Sequence, residues 1–157
     1  MTRLLRSALA IAAAAAGCWL ASGVTAADAP PAVLDALLPS GRETVPLAEL
    51  AGRVQLAPGE DFRVVSLARD TQTSQHLVAI RSAEIPHRHD RHDLLVVMLR
   101  GHGRMRLGDE LRPVGEGSIL FVPRGAVHAF RNDSPEPAVA YAVYVPAFDG
   151  KDRVDVP

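Results

Sequence analysis

From about Glu60 onward the chain runs as short apolar stretches of strand length, separated by residues that favour turns. The candidate strands are Phe62 to Ala68, His76 to Arg81, Leu94 to Leu99, Gly103 to Leu107, Ser118 to Val122, Val127 to Arg131 and Ala138 to Val145. Between them lie Gly108-Asp109-Glu110, Pro113 to Gly117, Pro123 to Gly125 and Asn132 to Pro137. Such punctuation predicts a β-sandwich or barrel. Ahead of the strands, Val33, Leu34, Leu37 and Leu38 fall at helical spacing. They predict a short amphipathic helix over Pro31 to Leu38, stopped by Pro39 and Gly41. The expectation is an all-β domain with a short N-terminal helix and an aliphatic core, since aromatics make up only 4% of the chain.

The N-terminus has a different texture. Arg3 and Arg6 precede an Ala-rich apolar stretch from about Ala8 to Ala21, and small residues line up at Val24-Thr25-Ala26. This predicts a secretory signal peptide cleaved before Ala27 and a periplasmic or secreted mature chain. The stretch is shorter than the roughly 20 residues of a membrane-spanning helix, so no stable membrane span is expected. A rival reading takes Ala15-Ala16-Gly17-Cys18 as a lipoprotein box with Cys18 lipidated; apolar Trp19 and Leu20 after the cysteine argue against it. The chain thus divides into a signal at 1–26, a lead-in with the short helix at 27–59, a barrel at 60–147 and a C-terminal tail at 148–157.

Composition then narrows the chemistry. A chain of 157 residues is one ordinary domain, and a net charge of −1 offers no general attraction to nucleic acid. Cleavage after Ala26 removes the only cysteine, so thiol catalysis, thiolate metal sites and disulfides are excluded from the mature chain. What remains is histidine, carboxylate and arginine.

Three of the six histidines fall within I-P-H-R-H-D-R-H-D, residues 85–93. On a strand, His87 and His89 point to the same face with Cα atoms about 6.6 Å apart, so both imidazoles can reach one point, as a first-row metal requires. A solvated loop of charged residues fits this pair equally well. The second segment, G-S-I-L-F-V-P-R-G-A-V-H-A-F-R-N from Gly117 to Asn132, is more specific. It reads as a strand, a tight Pro123-Arg124-Gly125 turn, a second strand bearing His128, and a closing turn at Asn132.

These two segments resemble the paired motifs of the cupin superfamily, small double-stranded β-helix (jelly-roll) barrels. The second family motif, G-x5-P-x-G-x2-H-x3-N, is filled at every fixed place by Gly117, Pro123, Gly125, His128 and Asn132. The first, H-x-H-x3–4-E with a later glycine, is matched by His87, His89 and Gly101, but its glutamate is missing. Counting back from Gly101 puts Leu94 in that place, whereas counting on from His89 gives Asp93. The resemblance covers residues 60 to 147. It implies a divalent metal held by His87, His89 and His128, with Asp93 as substitute fourth ligand and His92 in reserve. With a carboxylate, the set would resemble one suited to iron(II), manganese or nickel. With histidines alone it would resemble the family's thiol dioxygenases or a zinc site.

The resemblance further implies a small-molecule ligand or substrate, dioxygenase-type chemistry on bound iron(II) or a binding module without turnover, and a possible homodimer. His76 and His102 read as structural and turn residues. Arg88, Arg91, Arg100, Arg104 and Arg106 read as a charged outer face, with the mouth of the barrel as the rival placement. Tyr141 and Tyr144 have opposite parity, so only one can face the interior. Pro146 to Gly150 resembles a clasp at the chain end.

Overall fold

The computed structural model describes residues 31–38 and 41–157. The signal expected at 1–26 and the lipidation candidate Cys18 lie outside the described residues. The elements in chain order are β1 (Val33–Leu38), β2 (Gly41–Pro46), α1 (Leu47–Gly52), β3 (Phe62–Arg69), β4 (Ser74–Ile80), β5 (His87–Arg88), β6 (Asp93–Arg100), β7 (His102–Leu107), β8 (Glu110–Gly115), β9 (Ile119–Val122), β10 (His128–Asn132), β11 (Ala138–Val145) and β12 (Val154–Asp155). Two five-stranded antiparallel sheets, β12-β5-β10-β7-β8 and β3-β4-β11-β6-β9, face each other as a jelly roll. The expected all-β barrel is present. Among the described residues no helix is long and apolar enough to cross a membrane.

The helix expected over Pro31 to Leu38 is absent; Val33–Leu38 is strand β1, paired antiparallel with β2. The residues support this as well as they supported a helix. Val33 and Asp35 are exposed while Leu34 and Ala36 are half-buried, a period of two. Asp35 accepts hydrogen bonds from Arg42 and Thr44 on the facing strand. A helix this short is marginal in water, and pairing satisfies the backbone that isolated helical turns leave open. Among the described residues the one helix falls instead at Leu47–Gly52, where Leu47, Leu50 and Ala51 repeat at helical spacing and the last two are buried.

Two cores result. Between the sheets lie Ile80, Leu94, Met98, Met105, Val122, Phe130 and the alanines of β11. On the outer face of the second sheet Leu77, Ala79 and Val139 pack beneath Val45, Leu50, Ala51 and Val54 of the N-terminal segment. This second layer explains why β6 is apolar at every position from Leu94 to Leu99: the strand is covered on both faces along part of its length. Leu94, Val96 and Met98 point into the barrel, whereas Leu99 packs outward.

Candidate metal centre

His87 and His128 sit directly opposite each other on the antiparallel pair β5 and β10. Their ring centroids are 4.2 Å apart. His89 follows β5 and brings its ring to 5.2 Å from His87 and 5.4 Å from His128. All three are buried, and one nitrogen from each lies within 4.8 Å of the others.

The hydrogen bonds identify those nitrogens. The Nδ1–H of His87 donates to the Ile85 carbonyl at 3.0 Å, that of His128 to the Ala126 carbonyl at 3.1 Å, and that of His89 to the Asp152 carbonyl at 2.6 Å. Each ring therefore keeps its lone pair on Nε2. The Nε2 of His89 is buried without any hydrogen-bond partner. Burial, reinforced by the neighbouring His128, drives His87 down to about 3, and burial drives His128 down to about 4. Burial lowers His89 too. Three neutral rings, each oriented by a backbone acceptor and aimed at one point, fit a divalent metal.

Asp93 does not join them. It opens β6 with the parity opposite to Leu94, so it lies on the outer side of the barrel, where it binds the Arg124 backbone N–H at 2.9 Å and its guanidinium at 2.7 Å. Those hydrogen bonds hold its carboxyl at about 2. Leu94, the alternative count for the family's glutamate, does point inward and lines the cavity. The site is a three-histidine set, with the carboxylate position taken by a hydrocarbon. His92 is also buried but donates from Nδ1 to the Asp152 carboxylate at 2.5 Å, outside the three-ring group.

The second-motif turn is tied to the first motif. Gly125, at a φ of 80° that favours glycine, donates its N–H to the His89 carbonyl at 2.7 Å. Asn132 closes the far end, its amide donating to the carbonyls of Arg81 and Glu136. His102 is exposed, and His76 packs edge-on against Tyr144 with its Nε2 beside the Ser74 hydroxyl. Arg88, Arg91, Arg100, Arg104 and Arg106 all find partners away from the cavity, on Asp90, Asp149, Pro137, Asp133 and Gly108.

Beside the three rings the barrel holds a cavity of about 70 Å³, walled by Val96, Met98, Met105, Leu120 and Phe130 among others. Its polar lining is supplied by His87, His128, Tyr144, Glu84 and Arg153. Of the two tyrosines Tyr144 faces inward, and burial pushes its phenol up to about 12; Tyr141 faces outward and donates to Gln75. Glu84, Asp152 and Arg153 carry no local signature in the sequence. Glu84 accepts the Phe130 N–H at 3.0 Å, and its burial raises its carboxyl. Asp152 and Arg153 come from the segment after β11. There β12 pairs with β5, and the Asp152 carboxylate accepts from the backbone N–H groups of Asp90 and Arg91 as well as from His92.

The comparisons agree with this architecture. A family profile described as a cupin domain matches residues 76–144. An uncharacterised protein of Aquifex aeolicus is 42% identical over 97 residues, covering 62% of this chain and 79% of its own length. A Klebsiella pneumoniae protein with a double-stranded β-helix domain superposes with a TM-score of 0.59 at 16% identity, over 71% of this chain and 94% of that one. The Streptomyces nucleoside dehydratase Pac13 superposes with a TM-score of 0.52 at 18% identity, over 60% of this chain and 78% of that one. The fold and the buried histidine triad define a small single-domain cupin barrel. The chain belongs to the cupin family.

Proposed function

We propose that this protein is an exported cupin that binds a divalent metal through Nε2 of His87, His89 and His128 and takes a small molecule into the adjoining cavity. The observation that carries the reading is the trio of Nδ1–H donors, each spent on a backbone carbonyl, with the His89 Nε2 left buried and unpartnered. A buried polar atom without a partner is rare in a folded protein, and a cation supplies the missing one. Export rests on the sequence pattern of residues 1–26 and the expected cleavage before Ala27.

The all-nitrogen set bears on which metal is bound. Imidazole suits iron, nickel and zinc, whereas manganese favours carboxylate and water oxygens. Iron(II) remains our first assignment and zinc the alternative. When bound, such a metal supplies Lewis acidity and open positions for a small molecule. Glu84 and Tyr144, both able to carry a proton, line the same cavity, which favours turnover of the bound molecule over mere storage.

The test is elemental analysis of protein purified without chelator or polyhistidine tag, beside the His128→Ala variant. We expect close to one metal per chain in the wild type and at least about a tenfold loss in the variant. Iron would support an oxygen-consuming, dioxygenase-type activity, to be followed by oxygen uptake; zinc would set that activity aside and keep the site. Absence of metal from both proteins after reconstitution would overturn the proposal.

A further inference from the structure

Among the described residues lining the cavity, Arg153 is the one cationic side chain, and the metal reading leaves it without a role. Its guanidinium is held from three sides. Nε donates to Asp155 at 3.0 Å and Nη2 to the Ile85 carbonyl at 3.3 Å. Nη1 donates to the Nε2 of His87 at 3.2 Å and stands 3.8 Å from the Glu84 carboxylate, beyond hydrogen-bond reach.

The His87 contact has a consequence for loading. An imidazole nitrogen has one lone pair, which cannot serve both a guanidinium N–H and a metal ion. Metal binding therefore releases Nη1–H at the cavity wall, where it is free to meet a new acceptor on a bound molecule. Glu84 is a poor acceptor for it. Its Oε2 is engaged by the Phe130 N–H, its Oε1 stands 3.8 Å from Nη1, and burial favours its uncharged form.

Charge points the same way. Three neutral imidazoles leave both charges of a divalent ion uncompensated beside walls of Val96, Met98, Met105 and Phe130. Asp155 already offsets Arg153, and Glu84 offsets one further charge at most. The loaded cavity is thus short of negative charge, and a carboxylate is the group that meets a cation and a guanidinium donor together. The rest of the cavity is apolar and holds roughly five water-sized groups. On the metal reading above, we propose that Arg153 anchors the carboxylate of a short aliphatic acid, and that small carboxylic acids are the ligand class of this site.

The experiment loads the purified protein with cobalt(II) and titrates propionate and its neutral analogue propionamide, following visible absorption and heat. Propionate is expected to bind at least about tenfold more tightly than propionamide. Arg153→Gln should abolish that preference, yet take up cobalt(II) at least as tightly as the wild type, because the competitor for His87 is gone. Circular dichroism checks that the variant is folded. Equal binding of the two probes by the wild type, an undiminished preference in Arg153→Gln, or weaker cobalt uptake by that variant would each overturn the assignment. Failure of the wild type to take up cobalt(II) at all would instead overturn the metal reading, and this inference with it.

Discussion

The two sides of the histidine site are built in different ways. His87 and His128 belong to paired strands and are each oriented by the carbonyl two residues back, at Ile85 and Ala126. Those carbonyls are local, although His87 also accepts from Arg153 and pairs with Asp155 of β12. His89 is oriented from 63 residues away, by the carbonyl of Asp152, and the loop that follows it is fastened by the Asp152 carboxylate. The carbonyls that hold Nδ1 of the first pair belong to the barrel; the one that holds Nδ1 of the third ligand is lent by the chain end. A metal site of this kind can lose one ligand's orientation while its barrel stays folded.

The largest effect follows from removing the lender. Ending the chain at Gly150 deletes the Asp152 carbonyl and carboxylate and strand β12 while leaving both sheets' central strands in place. Losing a group that orients a metal-bound imidazole typically costs about 10–100-fold in affinity. We expect a loss of that size in a chelator competition, with the far-ultraviolet spectrum retained. An unchanged metal affinity would show that His89 is aimed by its own backbone, and the contrast between the two sides would disappear.

A sharper cut is Asp152→Ala, which keeps the carbonyl to His89 and removes only the carboxylate. That carboxylate is 5% exposed and accepts from His92 and two backbone N–H groups. Burial works to raise its pKa, but hydrogen bonds from His92 and the Arg91 backbone prevail and hold it at about 2. Breaking a buried charged network by deleting one partner costs about 3–5 kcal/mol. The variant should lose roughly 3 kcal/mol in urea unfolding, with a change of only a few-fold in metal affinity. A loss of affinity as large as that of the truncation would assign the orienting role to the carboxylate instead of the carbonyl.

The same distinction decides what could be read from the sequence. The second motif was legible down to its turn glycine and closing Asn132, because turn chemistry specifies those residues even though Gly125 and Asn132 also bond to His89 and Arg81 far along the chain. His87 and His89 were legible as a pair from alternation. Asp152, Arg153 and Glu84 were not: they act across separations of 63, 66 and 46 residues, and no spacing within their own segments marks them. The parity of β6 was hidden for another reason. The N-terminal segment covers part of its outer face, so hydrophobicity does not alternate, and Asp93 and Leu94 competed for one place until the structure turned Leu94 inward. Strand β8 was read as two turns because Pro113 and Gly115 interrupt it. It is an edge strand, where a proline costs no ladder hydrogen bond. The helix at 31–38 failed because four apolar residues over six positions satisfy a short strand as readily as a helical turn.

Asp93 gives the smallest effect and the cleanest separation of fastening from ligation. It grips the Pro123–Gly125 turn through Arg124, and that turn in turn donates to the His89 carbonyl, so it supports the site from outside the barrel. Asp93→Asn should leave the metal content at the wild-type level, whereas a fall toward that of His128→Ala would restore Asp93 as a ligand. Its effect on stability should be small, since the pair is solvent-exposed and screened by salt. The sign with pH is fixed by the direction of the shift. The carboxyl is held at about 2 in the folded chain, against about 3.9 when unfolded. The wild-type advantage over Asp93→Asn is therefore complete above pH ~4 and fades as the pH falls from there toward 2. Urea unfolding of both proteins across that range should show the two curves converge on the acid side, and parallel curves would mean that the Arg124 contact does not form in solution.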